Sequence, residues 1–243
     1  MRWLHVEASP RGARSRSSRL AWAFLIKLAE RRPGLEVTRW NLFEDALPAL
    51  DQHAIEARYA VLAGEDDPAV LAAWEGVRAT HARVMAHDAL IISTPMWNWG
   101  VPYRLKQWID LITHPGLAFR VGPAGEVEGL LGPRPTVVAT ASALAYEGAT
   151  AALDHQVAYL RDWLAFVGVH DPSFVHAAPM YGAPESVEPA FLDAQVRAEA
   201  QNALNTPMFA APNTTPANSL FGQVTATQFP EARRITLAGK LSF

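Results

Sequence analysis

The sequence predicts an α/β fold in which a parallel sheet carries helices on both faces. Three observations predict it. Short apolar runs alternate with longer helical patterns along the chain, the signature of strand–helix–strand units and a parallel sheet. One run, Ala89-Leu90-Ile91-Ile92-Ser93, is apolar up to its serine, as suits a central strand buried on both faces. The 243 residues, 50% hydrophobic and 19% charged, are enough to bury one such core with an appendage to spare.

Taken in order, Trp3-Leu4-His5-Val6 is the first strand, and residues 8–15 form a loop. Leu20, Ala23, Phe24, Lys27 and Leu28 then recur at three- and four-residue spacing, which predicts a helix. Pro33-Gly34 stops it, and residues 35–40 read as the second strand. Two helices, 52–63 and 68–85, flank an acidic turn whose Asp66-Asp67 pair is read as solvated. After the strand at 89–93 comes Thr94-Pro95-Met96-Trp97-Asn98-Trp99-Gly100, followed by a helix face of Leu105, Trp108, Ile109 and Ile112. Glycines punctuate 116–132, which predicts a hairpin-like surface excursion. Thr136-Val137-Val138-Ala139-Thr140 is the fourth strand, and 153–167 is a helix with Leu160, Trp163 and Leu164 inward. A fifth strand at 171–177 and a closing helix at 188–204 complete one domain, residues 1–204. Residues 205–243 read as an extended tail, rich in Thr, Asn, Pro and Ala up to 229. Phe209, Leu220, Phe221 and Phe229 could anchor it, and disorder is the competing account.

Composition narrows the function. A net charge of −3 gives no broad attraction for nucleic acid or anionic membrane. The arginines at 11, 14, 16 and 19 could serve one phosphate group or simply solvate a helix start. With no cysteine, disulfides, thiolate metal sites, iron–sulfur clusters and a cysteine nucleophile are all excluded. No stretch has the apolar length of a membrane span, and the first residues lack a signal-peptide core. A cytoplasmic location is expected.

In open parallel sheets, ligands bind beyond the carboxyl ends of the strands, where strand order reverses. The first loop there, Ala8 to Ser18, joins several hydroxyls to a helix start. Helix N-terminal amides are unsatisfied and partly positive, so with Ser9, Ser15 and Ser17 they suit a phosphate. Neither Gly-Lys-Ser/Thr nor Gly-x-Gly-x-x-Gly is present. Helix capping by Ser15 or Ser17 is an equal reading of these residues. In the second loop, Met96, Trp97, Asn98 and Trp99 either cover a flat apolar ligand such as an isoalloxazine or form a hydrophobic corner packed under 116–132.

Ser9, Ser15-Arg16-Ser17, Pro95-Met96-Trp97-Asn98-Trp99 and Pro102-Tyr103-Arg104-Leu105-Lys106-Gln107-Trp108-Ile109-Asp110 together resemble the FMN-dependent NADH:quinone oxidoreductase/azoreductase family. The likeness continues through Gly116-Leu117-Ala118-Phe119-Arg120, Gly129-Leu130-Leu131-Gly132, Tyr159-Leu160 and Phe166-Val167-Gly168-Val169. The resemblance implies a flavodoxin-like three-layer sandwich with a five-stranded parallel sheet of order 2-1-3-4-5. It implies tightly but non-covalently bound FMN, NADH or NADPH as donor, a quinone or azo acceptor, and a homodimer with the active site at its interface. It places FMN phosphate on Ser9, Ser15, Arg16 and Ser17, and the ring on Pro95, Met96, Trp97, Asn98 and Trp99.

After the fourth strand the chain departs from that family, which often has a Ser-Arg-Gly-Gly type segment touching the flavin. Here Ala141, Ser142, Ala143 and Leu144 stand at those positions. Without glycine the loop loses easy access to positive φ, so its path is expected to differ. Phe119, Arg120 and Tyr146 are candidates for the substrate pocket, the first two in the other subunit or merely in loop packing; Glu147 is expected at the surface. Chemistry carried by a flavin needs no side-chain nucleophile, and no catalytic residue is assigned. No His-x-x-x-His, His-Glu-x-x-His or Gly-x-Ser-x-Gly motif occurs, which argues against a zinc site and an α/β-hydrolase. A flavodoxin-type electron carrier or FMN-binding protein without NAD(P)H turnover is the alternative; the near-neutral charge and broad aromatic loop favour the enzyme.

Overall fold

A computed structural model of the protein describes residues 1–203. The expected tail, with Phe209, Leu220, Phe221 and Phe229, lies outside the described residues. Five strands form the sheet: β1 (Arg2–Glu7), β2 (Glu36–Asn41), β3 (Ala89–Pro95), β6 (Thr136–Ala141) and β7 (Ser173–Ala177). Their order is β2-β1-β3-β6-β7, all parallel, which is the 2-1-3-4-5 pattern once the small hairpin is set aside. That hairpin, β4 (Phe119–Val121) with β5 (Val127–Gly129), is antiparallel and occupies the predicted excursion.

Register explains the two layers of the core. Trp40, Val6, Ile92, Val138 and Phe174 lie opposite one another across the sheet, and the two-residue strand period sends them all to one face. There they meet Leu105, Trp108, Ile109 and Ile112 of α4 (Tyr103–Ile112) and Leu160, Trp163 and Leu164 of α5 (His155–Phe166). Trp3, Ile91, Val137 and Val175 face the other way, onto Leu20, Ala21, Phe24, Leu25 and Leu28 of α1 (Arg16–Arg31) and Phe191, Ala194 and Ala198 of α6 (Pro184–Ala203). Each such large side chain, fully buried, contributes roughly 1.5–3 kcal/mol. A third cluster joins Ala57 of α2 (Gln52–Leu62), Trp74 and Val77 of α3 (Pro68–Met85) and Leu111.

Local chemistry sets the helix starts. Side chains of Ser15, Asp51, Asp67 and Asp154 cap α1, α2, α3 and α5 by accepting from Ser18, Ala54, Ala69 and Val157 amides. The acidic turn read as solvated therefore has a structural duty: Asp67 caps α3, and Pro68 occupies its first turn. Gly129 docks the hairpin on the end of α5, where a Cβ would come within 2.0 Å of the Gly168 nitrogen. No helix among the described residues is long and apolar enough to cross a membrane.

Candidate functional site

Strands β1, β3 and β6 are neighbours, so the loops leaving their carboxyl ends lie side by side. Hydrogen bonds carry the ladder past the strand ends: Ala8 N–H donates to Ser93 O (2.8 Å), Met96 N–H to Ala141 O (2.8 Å) and Ser142 N–H to Ala177 O (3.1 Å). The edge is thus one continuous surface.

At its first loop Ser9, Ser15, Ser17 and Ser18 are buried. Ser15 Oγ accepts from Ser18 N–H (3.2 Å) and Ser18 Oγ–H (2.9 Å), and lies 3.2 Å from Ser17 Oγ. Ser15 and Ser17 hold two hydroxyl protons between them and one mutual contact, which leaves a proton to donate outward. Arg16 and Ser17 open α1, so their amides lack intrahelical acceptors. Capping and anion binding are therefore compatible here, not rivals. The guanidinium of Arg16 turns away, to Glu188 Oε2 (3.0 Å) and over the Phe191 ring. The main chain of Arg16, not its side chain, is what the fold brings to this loop.

The second loop is a tight turn. Trp97 and Gly100 exchange both main-chain hydrogen bonds at 3.0 Å, and Asn98 and Trp99 between them have φ of 48° and 64°. Two positive-φ central residues make a type I′ turn. Among the described residues these are the only non-glycine residues at positive φ. Such a conformation costs an L-residue roughly 1–2 kcal/mol, and strain of this kind gathers at functional positions. Among the described residues, no hydrogen bond uses the Asn98 and Trp99 amides. Trp97 is 37% exposed and Trp99 49%. Trp97 packs on Phe43 and Tyr103, at ring-centroid distances of 5.9 and 6.2 Å, not on the hairpin as the corner reading expected. Beside it lies a groove of about 950 Å³ lined by Leu50, Trp97, Asn98, Val101, Tyr103 and Lys106 among others.

Two residues that sequence reasoning passed over hold this edge together. Gln156 is buried, and its Nε2 donates to Pro95 O (2.7 Å) and Gly100 O (3.3 Å), bracing the base of the turn from α5. A signal existed: Gln156 is a polar residue on the inward stripe with Leu160, Trp163 and Leu164. His176 of β7 contacts Thr140 Oγ1 through Nδ1 (2.6 Å) and Ser142 Oγ through Nε2 (3.0 Å). Burial holds its imidazole below the usual histidine range, against the opposing charge of Asp154.

Along the third loop Ala141 and Ser142 are buried while Ala143 and Leu144 are exposed. None has positive φ, so the glycine-free segment turns within ordinary backbone space. Tyr146 is half-buried, and exposed Glu147 caps a short 3-10 turn over Gly148–Leu153. Phe119 and Arg120 are not brought to this edge. Helix α4 runs back from it, and β6 restarts where Pro135 O meets Leu90 N–H, which puts the hairpin at the opposite end of the sheet. Phe119 packs on Phe166 (4.7 Å), and Arg120 pairs with Glu128 (2.6 Å). Among the described residues no group of three or more His, Cys, Asp or Glu is placed to hold a metal ion.

Residues 1–202 match the family model described as flavodoxin-like fold. The chain is 38% identical over 173 residues to an FMN-dependent NADH:quinone oxidoreductase of Pseudomonas fluorescens, covering 69% of this chain and 80% of that one. It is 39% identical over 191 residues to the enzyme of the same name from Nitratidesulfovibrio vulgaris, covering 76% and 90%. The chain belongs to the flavodoxin-like family of FMN-dependent NADH:quinone oxidoreductases. An azoreductase from Bacillus anthracis superposes on this family member with a TM-score of 0.76 at 23% identity, covering 83% of this chain and 98% of that one. A B. anthracis FMN-dependent NADH-azoreductase in complex with FMN gives 0.71 at 21%, covering 83% and 99%. Both likenesses speak to the fold.

Proposed function

We propose that this protein is a cytoplasmic FMN-dependent NAD(P)H oxidoreductase that reduces quinones, azo compounds or both. The observation that carries the reading is the Trp97–Gly100 turn, strained at two non-glycine residues and presenting half-exposed indoles and unused amides beside the serine-lined start of α1. The donor set fits the group: hydroxyls and helix-start amides are neutral donors suited to a phosphate dianion, and the aromatic turn suits a flat apolar ring. Ser9, Ser15, Ser17 and the Arg16 main chain would hold the phosphate. Pro95 through Trp99 and Ala141 through Leu144 would hold the ring.

When bound, FMN supplies two-electron hydride exchange at flavin N5, with a nicotinamide donor and then a quinone or azo acceptor using it in turn, a ping-pong order. The chain's own work is positioning. Gln156 fixes the turn, Trp97 and Trp99 exclude water, and Tyr146 borders the space left for substrate. Because Phe119 and Arg120 sit at the far end of their own sheet, they can line only the pocket of another copy, as an interface site in a homodimer requires. Residues 1–204 form the catalytic domain in this reading, with 205–243 as its tail.

The test is an anaerobic visible spectrum of FMN-loaded protein. Added NADH should bleach the flavin band, a quinone should restore it, and initial-velocity plots should be parallel. Flavin that NADH leaves oxidised would make the protein a carrier. Failure to take up FMN at all would sink the reading.

A further inference from the structure

The loop after β6 turns without the glycines that its place in the fold invites, so something else must fix its course. Ser142 Oγ lies 2.6 Å from Leu144 O, and a carbonyl only accepts, so the serine proton is committed there. Ser142 Oγ must then accept from His176, which sets the neutral imidazole as the Nε2–H tautomer. Nδ1 in turn accepts from Thr140 Oγ1–H at 2.6 Å. A directed chain results, from Thr140 through His176 and Ser142 to Leu144, with each proton assigned. Main-chain bonds seat the same segment on both sides: Ala141 O takes Met96 N–H, Ser142 N–H goes to Ala177 O, and Ala143 O takes Tyr181 N–H (3.1 Å). Ala143 and Leu144 are left exposed, and among the described residues no hydrogen bond uses their amides.

We propose that His176 is a positioning residue for the cofactor. Acting through Ser142, it sets the path of residues 141–144 and so aims the free Ala143 and Leu144 amides at the flavin ring. This does for the loop what conformational freedom at glycine would otherwise allow. The inference rests on FMN binding at this edge.

The experiment compares wild type, His176→Phe, His176→Gln, Ser142→Ala and the His176→Phe/Ser142→Ala double variant. FMN affinity is read by titrating apo-protein, and the two-electron midpoint potential by dye equilibration. Apo-protein folding is followed separately by thermal unfolding, and Ser142→Ala keeps the test open should His176→Phe fold poorly. Either single variant should weaken FMN about tenfold and move the potential negative, as expected when donors to the reduced ring are misplaced. The double variant should lose no more than the worse single one, because coupled residues act as one unit. His176→Gln, which restores a donor, should recover most of the loss. In wild-type apo-protein, ¹⁵N shifts of His176 should show the Nε2–H tautomer. Wild type that binds FMN while every variant stays within twofold, or losses that multiply in the double variant, would overturn this inference alone. Wild type that takes up no FMN would overturn the functional reading and this one with it.

Discussion

Trp99 carries the sharpest conflict between local preference and observed structure. An aromatic residue at φ 64° is held against its own backbone, yet about half of it stays in solvent. Replacing it with glycine relieves the strain, which offsets the loss of the indole's buried half. Trp99→Gly should therefore leave apo-protein stability within about 1 kcal/mol, while FMN affinity drops tenfold or more. Urea unfolding and an FMN titration check both halves. A stability loss beyond about 2 kcal/mol would instead make Trp99 part of a structural corner. The Met-Trp-Asn-Trp run stands out in the sequence by its composition, but that composition fits a structural corner as well as a site, and only the family resemblance separates the two. Its turn type was not legible, since neither Asn98 nor Trp99 is the glycine that normally announces positive φ. Arg16 was legible by type and neighbourhood, but only the position of Glu188 across α1 decides where its guanidinium goes.

At the scale of elements, the start of α1 does two jobs with one serine cluster, and substitutions separate them. Ser15→Ala removes a helix cap and should cost about 1 kcal/mol in urea unfolding, along with FMN affinity. Ser17→Ala caps nothing, so it should leave stability nearly unchanged and still weaken FMN severalfold. Riboflavin, which lacks the phosphate, should bind Ser17→Ala as it binds wild type. Equal losses for riboflavin and FMN would remove Ser17 from the phosphate site. The hairpin makes the opposite case. Its glycine punctuation predicted an excursion correctly, but which edge of the sheet it occupies depends on the direction of α4 and the restart of β6. Phe119 and Arg120 consequently lie far from the site loops of their own chain, which leaves open both readings the sequence offers for them, the pocket of the other subunit and loop packing.

Across the whole molecule, the sheet's α1 face carries an unusual load: buried His5 bonds Ser93 Oγ (2.9 Å) and meets the edge of Trp22. Burial first, then the nearby charge of Arg39, pulls its imidazole down to about 3. The folded protein thus keeps His5 neutral where the unfolded chain, with a pKa near ~6.5, takes up a proton. Between those values the unfolded state binds more protons, so stability is full above about 6.5 and falls as pH drops toward 3. From pH 7 to 5 the loss should be about 2 kcal/mol from this residue. Urea unfolding of apo-protein at the two pH values measures it. His5→Leu should cut the slope by up to one proton; an unchanged slope would mean that His5 titrates alike in both states.

By itself the sequence determined the alternation of strands and helices, the parallel sheet, the serine-lined first loop and the aromatic second one, because periodicity and composition are local properties. It also determined that no cysteine chemistry operates. Tertiary structure alone decided that Gln156 of α5 braces the turn after β3, and that His176 of β7 reaches Ser142. It decided, too, that Arg16 faces α6 and that the hairpin sits at the opposite end of the sheet. Those contacts join residues tens of positions apart, and their geometry is set by strand register and helix direction, which no local pattern encodes.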